Sequence, residues 1–120
     1  MPRSILIADD DAAMLDVYVR LFADTNYLIS KTSSFAEAAR LINSHKYDLL
    51  ITDLMLGDGL GTDLIKLFKE KQSGTGSLLV SGSIGILAPE QIPDMYFEKP
   101  FIAEVFMAAV HKAISQTRAV

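Results

Sequence analysis

The amino-acid sequence predicts a single doubly wound α/β domain, in which a five-stranded parallel sheet carries helices on both faces. Short apolar runs alternate along the chain with longer segments whose apolar residues recur at helical spacing. Parallel neighbours in a sheet need crossover connections, which are right-handed, so this alternation produces a sheet covered on both sides. The 120 residues, half of them hydrophobic, fit one such core.

Each predicted strand is a short apolar run between polar or turn-forming residues. The five runs are expected at 4–8, 27–31, 47–52, 77–80 and 95–97. The third run reads YDLLIT and is almost continuously apolar, as expected of a strand that is buried on both faces.

The predicted helices fill the intervals between these strands, at 12–23, 35–44, 60–72 and 101–116. Asp11 is placed to cap the first helix, and Ser34 with Glu37 has the spacing of a capping box at the start of the second. Among the residues expected to be buried by the last two helices are Leu60, Leu64, Phe68, Val105 and Phe106.

The interval 83–93 lies where a fourth crossover helix would be expected. Gly85, Pro89 and Pro93 interrupt any regular helix in this interval, because proline removes a backbone donor and clashes with the preceding turn. The fourth helix is therefore expected to be short or irregular.

Composition excludes several classes of function. The formal charge of −4 and the lack of a Lys/Arg run argue against direct binding of nucleic acid. Without cysteine, the chain has neither disulfides nor thiolate metal sites. The apolar runs are far shorter than the ~20 residues of a membrane span, and the first is too short for a signal peptide. A soluble protein of the cytoplasm is expected.

Polar side chains follow the predicted strands at the carboxyl edge of the sheet, where ligands bind in such folds. They are Asp9, Asp10, Asp53, Ser81 and Lys99. Carboxylates at ~4 Å repel by about 4 kcal/mol per pair at an effective dielectric near 20, so the cluster needs a cation. Carboxylate oxygens suit Mg²⁺, and a carboxylate can accept a phosphoryl group whose other oxygens an ammonium and a hydroxyl would hold.

This ordered set resembles the receiver domain of two-component response regulators, which has a flavodoxin-like fold. The matching elements are Asp9-Asp10, Asp53, Ser81-Gly82 and Lys99-Pro100-Phe101. The resemblance covers residues 1–120, and so implies one receiver domain with no effector domain in this chain. It also implies a phosphoacceptor switch that receives its phosphoryl group from a sensor histidine kinase or a histidine phosphotransfer protein, and signals to an unknown downstream protein.

The resemblance assigns roles to individual residues. Asp53 would be the phosphoacceptor. Mg²⁺, or Mn²⁺ in its place, would be bound by Asp10 directly, by Asp9 mostly through water, by Asp53 and by the backbone carbonyl of Met55. Ser81 would bind a phosphoryl oxygen and Lys99 would pair with the phosphoryl group.

Two further features follow from the same resemblance. Tyr96 matches the aromatic switch of the family, which turns inward when the Ser81 hydroxyl is drawn to the phosphoryl group. The Lys99-Pro100 peptide bond is expected to be cis, as is typical of the family.

The first helix carries more apolar residues than one buried stripe needs. At 100° per residue they separate into a core face and a second face beside the crevice. The core face is predicted to be Met14, Val17, Tyr18 and Leu21. The second face, with Leu15, Val19 and Phe22, is predicted to be partly exposed and to dock the phosphodonor protein, unless a neighbouring loop covers it.

The sequence departs from the family pattern in two places. Gly57 stands where the family usually has proline, and the interval from Ser81 to Lys99 is about one helical turn shorter than is common. Because the shortened interval belongs to the usual dimerisation surface, a monomer is expected. The alternatives are a Mg²⁺-dependent phosphatase, which would need an aspartate where Met55 stands, and a degenerate receiver that acts only as a binding module.

Overall fold

The computed structural model describes residues 2–93 and 95–116, so residues 1, 94 and 117–120 of the predicted domain lie outside the described part. The described residues form five strands, four α-helices and two 3₁₀ turns. The strands are β1 (Ser4–Ala8), β2 (Leu28–Thr32), β3 (Leu49–Thr52), β4 (Gly76–Ser81) and β5 (Tyr96–Glu98). The helices are α1 (Ala12–Leu21), α2 (Phe35–Ser44), α3 (Gly61–Lys71) and α4 (Ala103–Ser115).

The strands form one parallel sheet in the order β2-β1-β3-β4-β5, which confirms the doubly wound sheet. The chain moves to one side of β1 for β2 and to the other side for β3. Such a change of direction opens a crevice at the carboxyl ends of the strands. Ala8 pairs with Thr52 in the ladder, so Asp9 and Asp53 leave the sheet side by side.

Two apolar layers cover the sheet, because successive side chains of a strand point to opposite faces. Ile5 and Ile7 of β1 pack in the layer that contains Tyr18 of α1 and Phe106 of α4. The alternate residues of β1 face the layer that contains α2 and α3. No helix in the described part of the chain is long and apolar enough to cross a membrane.

Residues 83–93 of the fourth crossover contain no α-helix, as the prolines predicted. They include two short 3₁₀ turns, Ile84–Ile86 and Pro89–Gln91. Ile84 is buried against the α2–α3 layer, and Ile86 is exposed.

The predicted capping box of α2 forms only in part. The Glu37 N–H donates to Ser34 Oγ at 3.1 Å, as predicted. The Glu37 carboxylate instead accepts a hydrogen bond from the Thr32 hydroxyl at 2.6 Å. The predicted cap of α1 is present, since Asp11 Oδ1 accepts from the Ala13 N–H at 2.9 Å.

Two residues that were predicted to be buried by the last two helices lie at the surface. Leu60 is 38% exposed because α3 begins one residue later, so Leu60 is its N-cap and lies outside the helical stripe. Val105 is 53% exposed, while Phe106 and Val110 of α4 carry the contact with the sheet.

Candidate functional site

Three carboxylates meet at the carboxyl edge of the sheet. Asp9 and Asp10 follow β1, and Asp53 follows β3. One carboxylate oxygen from each of the three lies within 4.8 Å of the other two. Asp9 is completely buried, Asp53 is partly buried and Asp10 is exposed, so the cluster opens toward solvent on one side.

Lys99 supplies the cation of this cluster from the end of β5. Its Nζ lies 3.0 Å from Asp9 Oδ2 and 3.3 Å from Asp53 Oδ2. Burial raises the pKa of Asp9, and hydrogen bonds from Asp11 and Lys99 offset only part of this effect. Burial alone would lower the pKa of Lys99, but its contacts with Asp9 and Asp53 raise that pKa above its usual value.

The backbone holds Asp53 firmly at the end of β3. Its N–H donates to the Ala8 carbonyl at 2.9 Å, and its Oδ1 accepts from the Leu54 N–H at 2.7 Å. A side chain at Gly61 would place its Cβ 2.0 Å from the Asp53 carbonyl oxygen. The start of α3 therefore packs against the Asp53 backbone, at a distance that only glycine allows.

Ser81, at the end of β4, is almost fully buried beside Lys99. Its carbonyl accepts from the Lys99 N–H at 3.1 Å, and its Oγ accepts from the Ser83 N–H at 3.0 Å. Among the described residues, none accepts a hydrogen bond from the Ser81 hydroxyl, so its proton is available to another acceptor.

Comparison with protein-family models gives a match to the response regulator receiver domain over residues 5–111. The chain belongs to this family. It is therefore the phosphoacceptor switch module of two-component signalling, a signalling domain and not a conventional enzyme.

Curated relatives of this receiver domain are transcriptional regulators. GlrR of Escherichia coli (strain K12) is 27% identical over 97% of this chain and 27% of its own length. CtrA of Caulobacter vibrioides (strain NA1000 / CB15N) is 24% identical over 95% of this chain and 51% of its own length. The chain thus spans about a quarter to a half of these two relatives.

Solved structures share the fold. A CheY-like receiver from Methanospirillum hungatei JF-1 has a TM-score of 0.86 at 22% identity, covering 98% of this chain and 97% of that one. A response regulator from Burkholderia pseudomallei, described with a phosphorylated aspartic acid and a calcium ion, has a TM-score of 0.77 at 25% identity. That match covers 95% of this receiver domain and 69% of the other chain.

The acidic cluster of this receiver domain fits a divalent cation. Hard carboxylate oxygens are the ligands that Mg²⁺ and Ca²⁺ prefer. The three convergent oxygens come from one buried, one partly buried and one exposed residue, so a cation would keep contact with solvent and with an incoming ligand.

The Lys99-Pro100 peptide bond is cis, as the resemblance predicted. Tyr96 lies on β5, three residues before Lys99, and is 42% exposed. Its side chain is thus on the surface and not turned into the core.

Sequence reasoning missed one residue near the site. Asp58, in the loop between β3 and α3, accepts hydrogen bonds from the Phe35 and Ala36 N–H groups at the start of α2. These partners are 23 and 22 residues away in sequence. The only signal in the sequence is an acidic residue in a glycine-rich loop, which does not name a distant partner.

The docking face predicted on α1 is wrong in part. Phe22 is only 3% exposed, because it lies four residues after the buried Tyr18, on the same face of the helix. Its ring packs against Tyr27, with 6.2 Å between ring centroids. Leu15 is partly exposed, as predicted, although it also packs against the core, and Val19 is exposed at 44%.

Val17, predicted to be in the core, is instead 38% exposed. It lines a groove of about 400 Å³ between α1 and the segment after β5. The other lining residues are Met14, Leu21, Lys99, Pro100, Phe101 and Ala103.

Proposed function

We propose that Asp53 accepts a phosphoryl group from a phosphohistidine of a sensor histidine kinase or a histidine phosphotransfer protein. The contact of Lys99 Nζ with both Asp9 and Asp53 carries this proposal, because it places one cation where phosphoryl charge would develop. Of the two contacted carboxylates, Asp9 is completely buried, whereas Asp53 keeps 12% of its side chain exposed. Asp53 is therefore the one that a donor can reach.

The transfer forms one bond and breaks another. A carboxylate oxygen of Asp53 attacks phosphorus, the phosphorus–nitrogen bond of the donor breaks, and the imidazole nitrogen takes up a proton from water. Lys99 stabilises negative charge on the phosphoryl oxygens. The free hydroxyl proton of Ser81 donates to another of these oxygens.

Asp9, Asp10, Asp53 and the backbone carbonyl of Met55 would hold Mg²⁺, or Mn²⁺, at this site. A bound divalent cation neutralises the repulsion between the carboxylates and the incoming phosphoryl group. The Burkholderia regulator, with its calcium ion and phosphorylated aspartate, supports this assignment.

Tyr96 is proposed to be the switch residue. Its exposed ring would turn inward once the Ser81 hydroxyl is drawn to the phosphoryl group. A ring that is exposed before activation and buried afterwards changes the surface that a partner contacts.

The phosphodonor protein is proposed to dock on the groove between α1 and the segment after β5. Met14, Val17 and Leu21 offer apolar contact there, next to Lys99 of the site. We further propose that the domain acts in the cytoplasm as a monomer. Its downstream partner is an unknown protein, and the relatives, which are transcriptional regulators, suggest one that acts in transcription.

The two alternatives fit less well. A phosphatase of the aspartyl-phosphate type would need an acid–base side chain two residues after Asp53, where Met55 has none. A degenerate receiver would not need the complete set of Asp53, Ser81 and Lys99, in which Lys99 contacts the Asp53 carboxylate and the backbone of Ser81.

Intact-mass analysis after incubation with Mg²⁺ and acetyl phosphate tests the proposal. One phosphoryl adduct is expected, and it should be lost in Asp53→Ala and on chelation of Mg²⁺. Asp16→Ala is the matched control, because Asp16 is an exposed aspartate of α1 and should leave the adduct unchanged. An adduct that persists in Asp53→Ala would refute the assignment.

A further inference from the structure

Asp58 ties the loop between β3 and α3 to the first turn of α2. Its Oδ1 accepts from the Phe35 N–H at 2.7 Å, and its Oδ2 accepts from the Ala36 N–H at 3.0 Å. The first N–H groups of a helix have no partner within the helix, so a carboxylate placed there is well stabilised. Consistently, these two bonds lower the pKa of Asp58.

The loop also packs directly on α2. A Cβ at Gly59 would lie 2.6 Å from the Phe35 ring, so the backbone touches that ring. The Leu56 N–H donates to the Gly59 carbonyl at 3.0 Å and closes the loop, and the Leu56 side chain is buried. The loop is thus a compact unit that rests on the start of α2.

The opposite side of this loop faces the acidic cluster. Gly57 has a φ of 79°, which favours glycine, and a Cβ there would lie 3.7 Å from Asp10 Oδ2. The loop starts at Leu54, whose N–H donates to Asp53 Oδ1. Movement of this loop relative to α2 would therefore displace the residues that surround Asp10 and Asp53.

We propose that Asp58 is a positioning residue for the divalent cation: it holds the loop that carries Met55 in register with the acidic cluster and so couples cation binding to the contact between Asp58 and α2. The inference rests on the proposed function, because it concerns the same Mg²⁺ site. Coupling between two sites is reciprocal, so a cation that needs the ordered loop also stabilises the contact with α2.

A second cap on the same helix provides a matched control. Ser34 Oγ accepts from the Glu37 N–H and stabilises the same first turn. No hydrogen bond joins Ser34 to the loop among the described residues. Ser34→Ala therefore weakens the start of α2 while it leaves the Asp58 contact in place.

The experiment measures Mg²⁺ affinity by calorimetry for the unaltered chain, Asp58→Ala, Asp58→Asn and Ser34→Ala. Asp58→Ala is expected to weaken Mg²⁺ binding about tenfold, the lower end of the range for residues that orient metal ligands. Asp58→Asn keeps one acceptor oxygen and should lose less Mg²⁺ affinity than Asp58→Ala. Ser34→Ala should bind Mg²⁺ as the unaltered chain does.

Amide hydrogen exchange gives an independent readout. Mg²⁺ is expected to slow exchange at the Phe35 and Ala36 amides, and this slowing should vanish in Asp58→Ala. Equal Mg²⁺ affinity in Asp58→Ala and the unaltered chain would overturn the inference alone. Equal losses of Mg²⁺ affinity in Ser34→Ala and Asp58→Ala would also overturn the inference. If the unaltered chain binds no Mg²⁺, the proposed function is refuted as well.

Discussion

At the scale of single residues, Lys99 acts as an internal counterion for two carboxylates. The Lys99 ammonium stabilises the carboxylates of Asp9 and Asp53, which it contacts. It also opposes the binding of a divalent cation to these carboxylates, because the two positive charges repel at short range. Lys99→Ala is therefore expected to bind Mg²⁺ a few-fold more tightly, as measured by calorimetry. Lys66→Ala, at an exposed site on α3, should bind it unchanged. Weaker binding in Lys99→Ala would contradict this electrostatic role.

The buried hydroxyl of Tyr18 lowers the stability of the fold. It is 1% exposed, and its hydroxyl has no hydrogen-bond partner among the described residues. Its ring packs on Phe101 and Phe106, and burial raises the pKa of its hydroxyl. Tyr18→Phe keeps the ring contacts and is expected to raise the free energy of unfolding by about 1 kcal/mol in urea titration.

Tyr27→Phe is the control for Tyr18→Phe, because it removes a hydroxyl that does have a partner. Tyr27 Oη lies 2.6 Å from His111 Nδ1 on α4. This variant should not gain stability. A loss of stability in Tyr18→Phe would mean that its hydroxyl contributes to the fold.

At the scale of elements, the start of α3 depends on Gly61. A methyl group there would overlap the Asp53 carbonyl oxygen, which is backbone and cannot move without shifting β3. Gly61→Ala is expected to lower the free energy of unfolding by roughly 3 kcal/mol, at the upper end for overpacking. Gly85→Ala has open space around the new methyl group and should be neutral or slightly stabilising. Thermal unfolding of both variants checks this, and equal midpoints would contradict it.

The contact between the β3–α3 loop and α2 makes stability depend on pH. Hydrogen bonds from Phe35 and Ala36 lower the pKa of Asp58 below its usual 3.8, so the folded state favours the ionised form. The stabilisation is therefore present above about pH 4 and is lost as the pH falls through the folded-state pKa. Asp58→Asn should be less stable than the unaltered chain at pH 6, and the difference in unfolding free energy should narrow as the pH falls below about 4. Urea titrations at several pH values test this, and a constant gap would contradict it.

The sequence predicted the buried strands better than the buried faces of the helices. β1 and β3 are buried along almost their whole length, as expected of central strands that are covered on both faces. The boundary between the two faces predicted on α1 was misplaced. Phe22 lies four residues after Tyr18, hence on the same face of the helix, and both side chains are buried in the same layer. The apolar pattern alone did not show which of the two groups faces the sheet.

At the scale of the whole molecule, the sequence located the candidate site because strand order decides which residues meet. Asp9, Asp53 and Lys99 each follow a strand and Ser81 ends one, and the sheet brings these four residues together. Asp58 could not be found in this way, because its partners on α2 depend on loop geometry.

The irregular fourth crossover affects whether the domain can form a dimer. Two 3₁₀ turns present less regular surface than a full helix, so activation should not produce a dimer through this face. Light scattering with and without beryllofluoride, a mimic of the phosphoryl group, should report a monomer in both states. A dimer that forms with the mimic and is abolished by substitutions within 83–93 would contradict this prediction.

The strand β5 forms one edge of the sheet and is only three residues long. An edge strand presents unpaired backbone groups that can pair with another chain, and natural proteins limit this hazard with short or charged edge strands. Tyr96–Glu98 offers too few such groups for a stable intermolecular ladder, and Glu98 adds charge. The same short strand that brings Lys99 to the crevice thus also protects the protein from aggregation along this edge of the sheet.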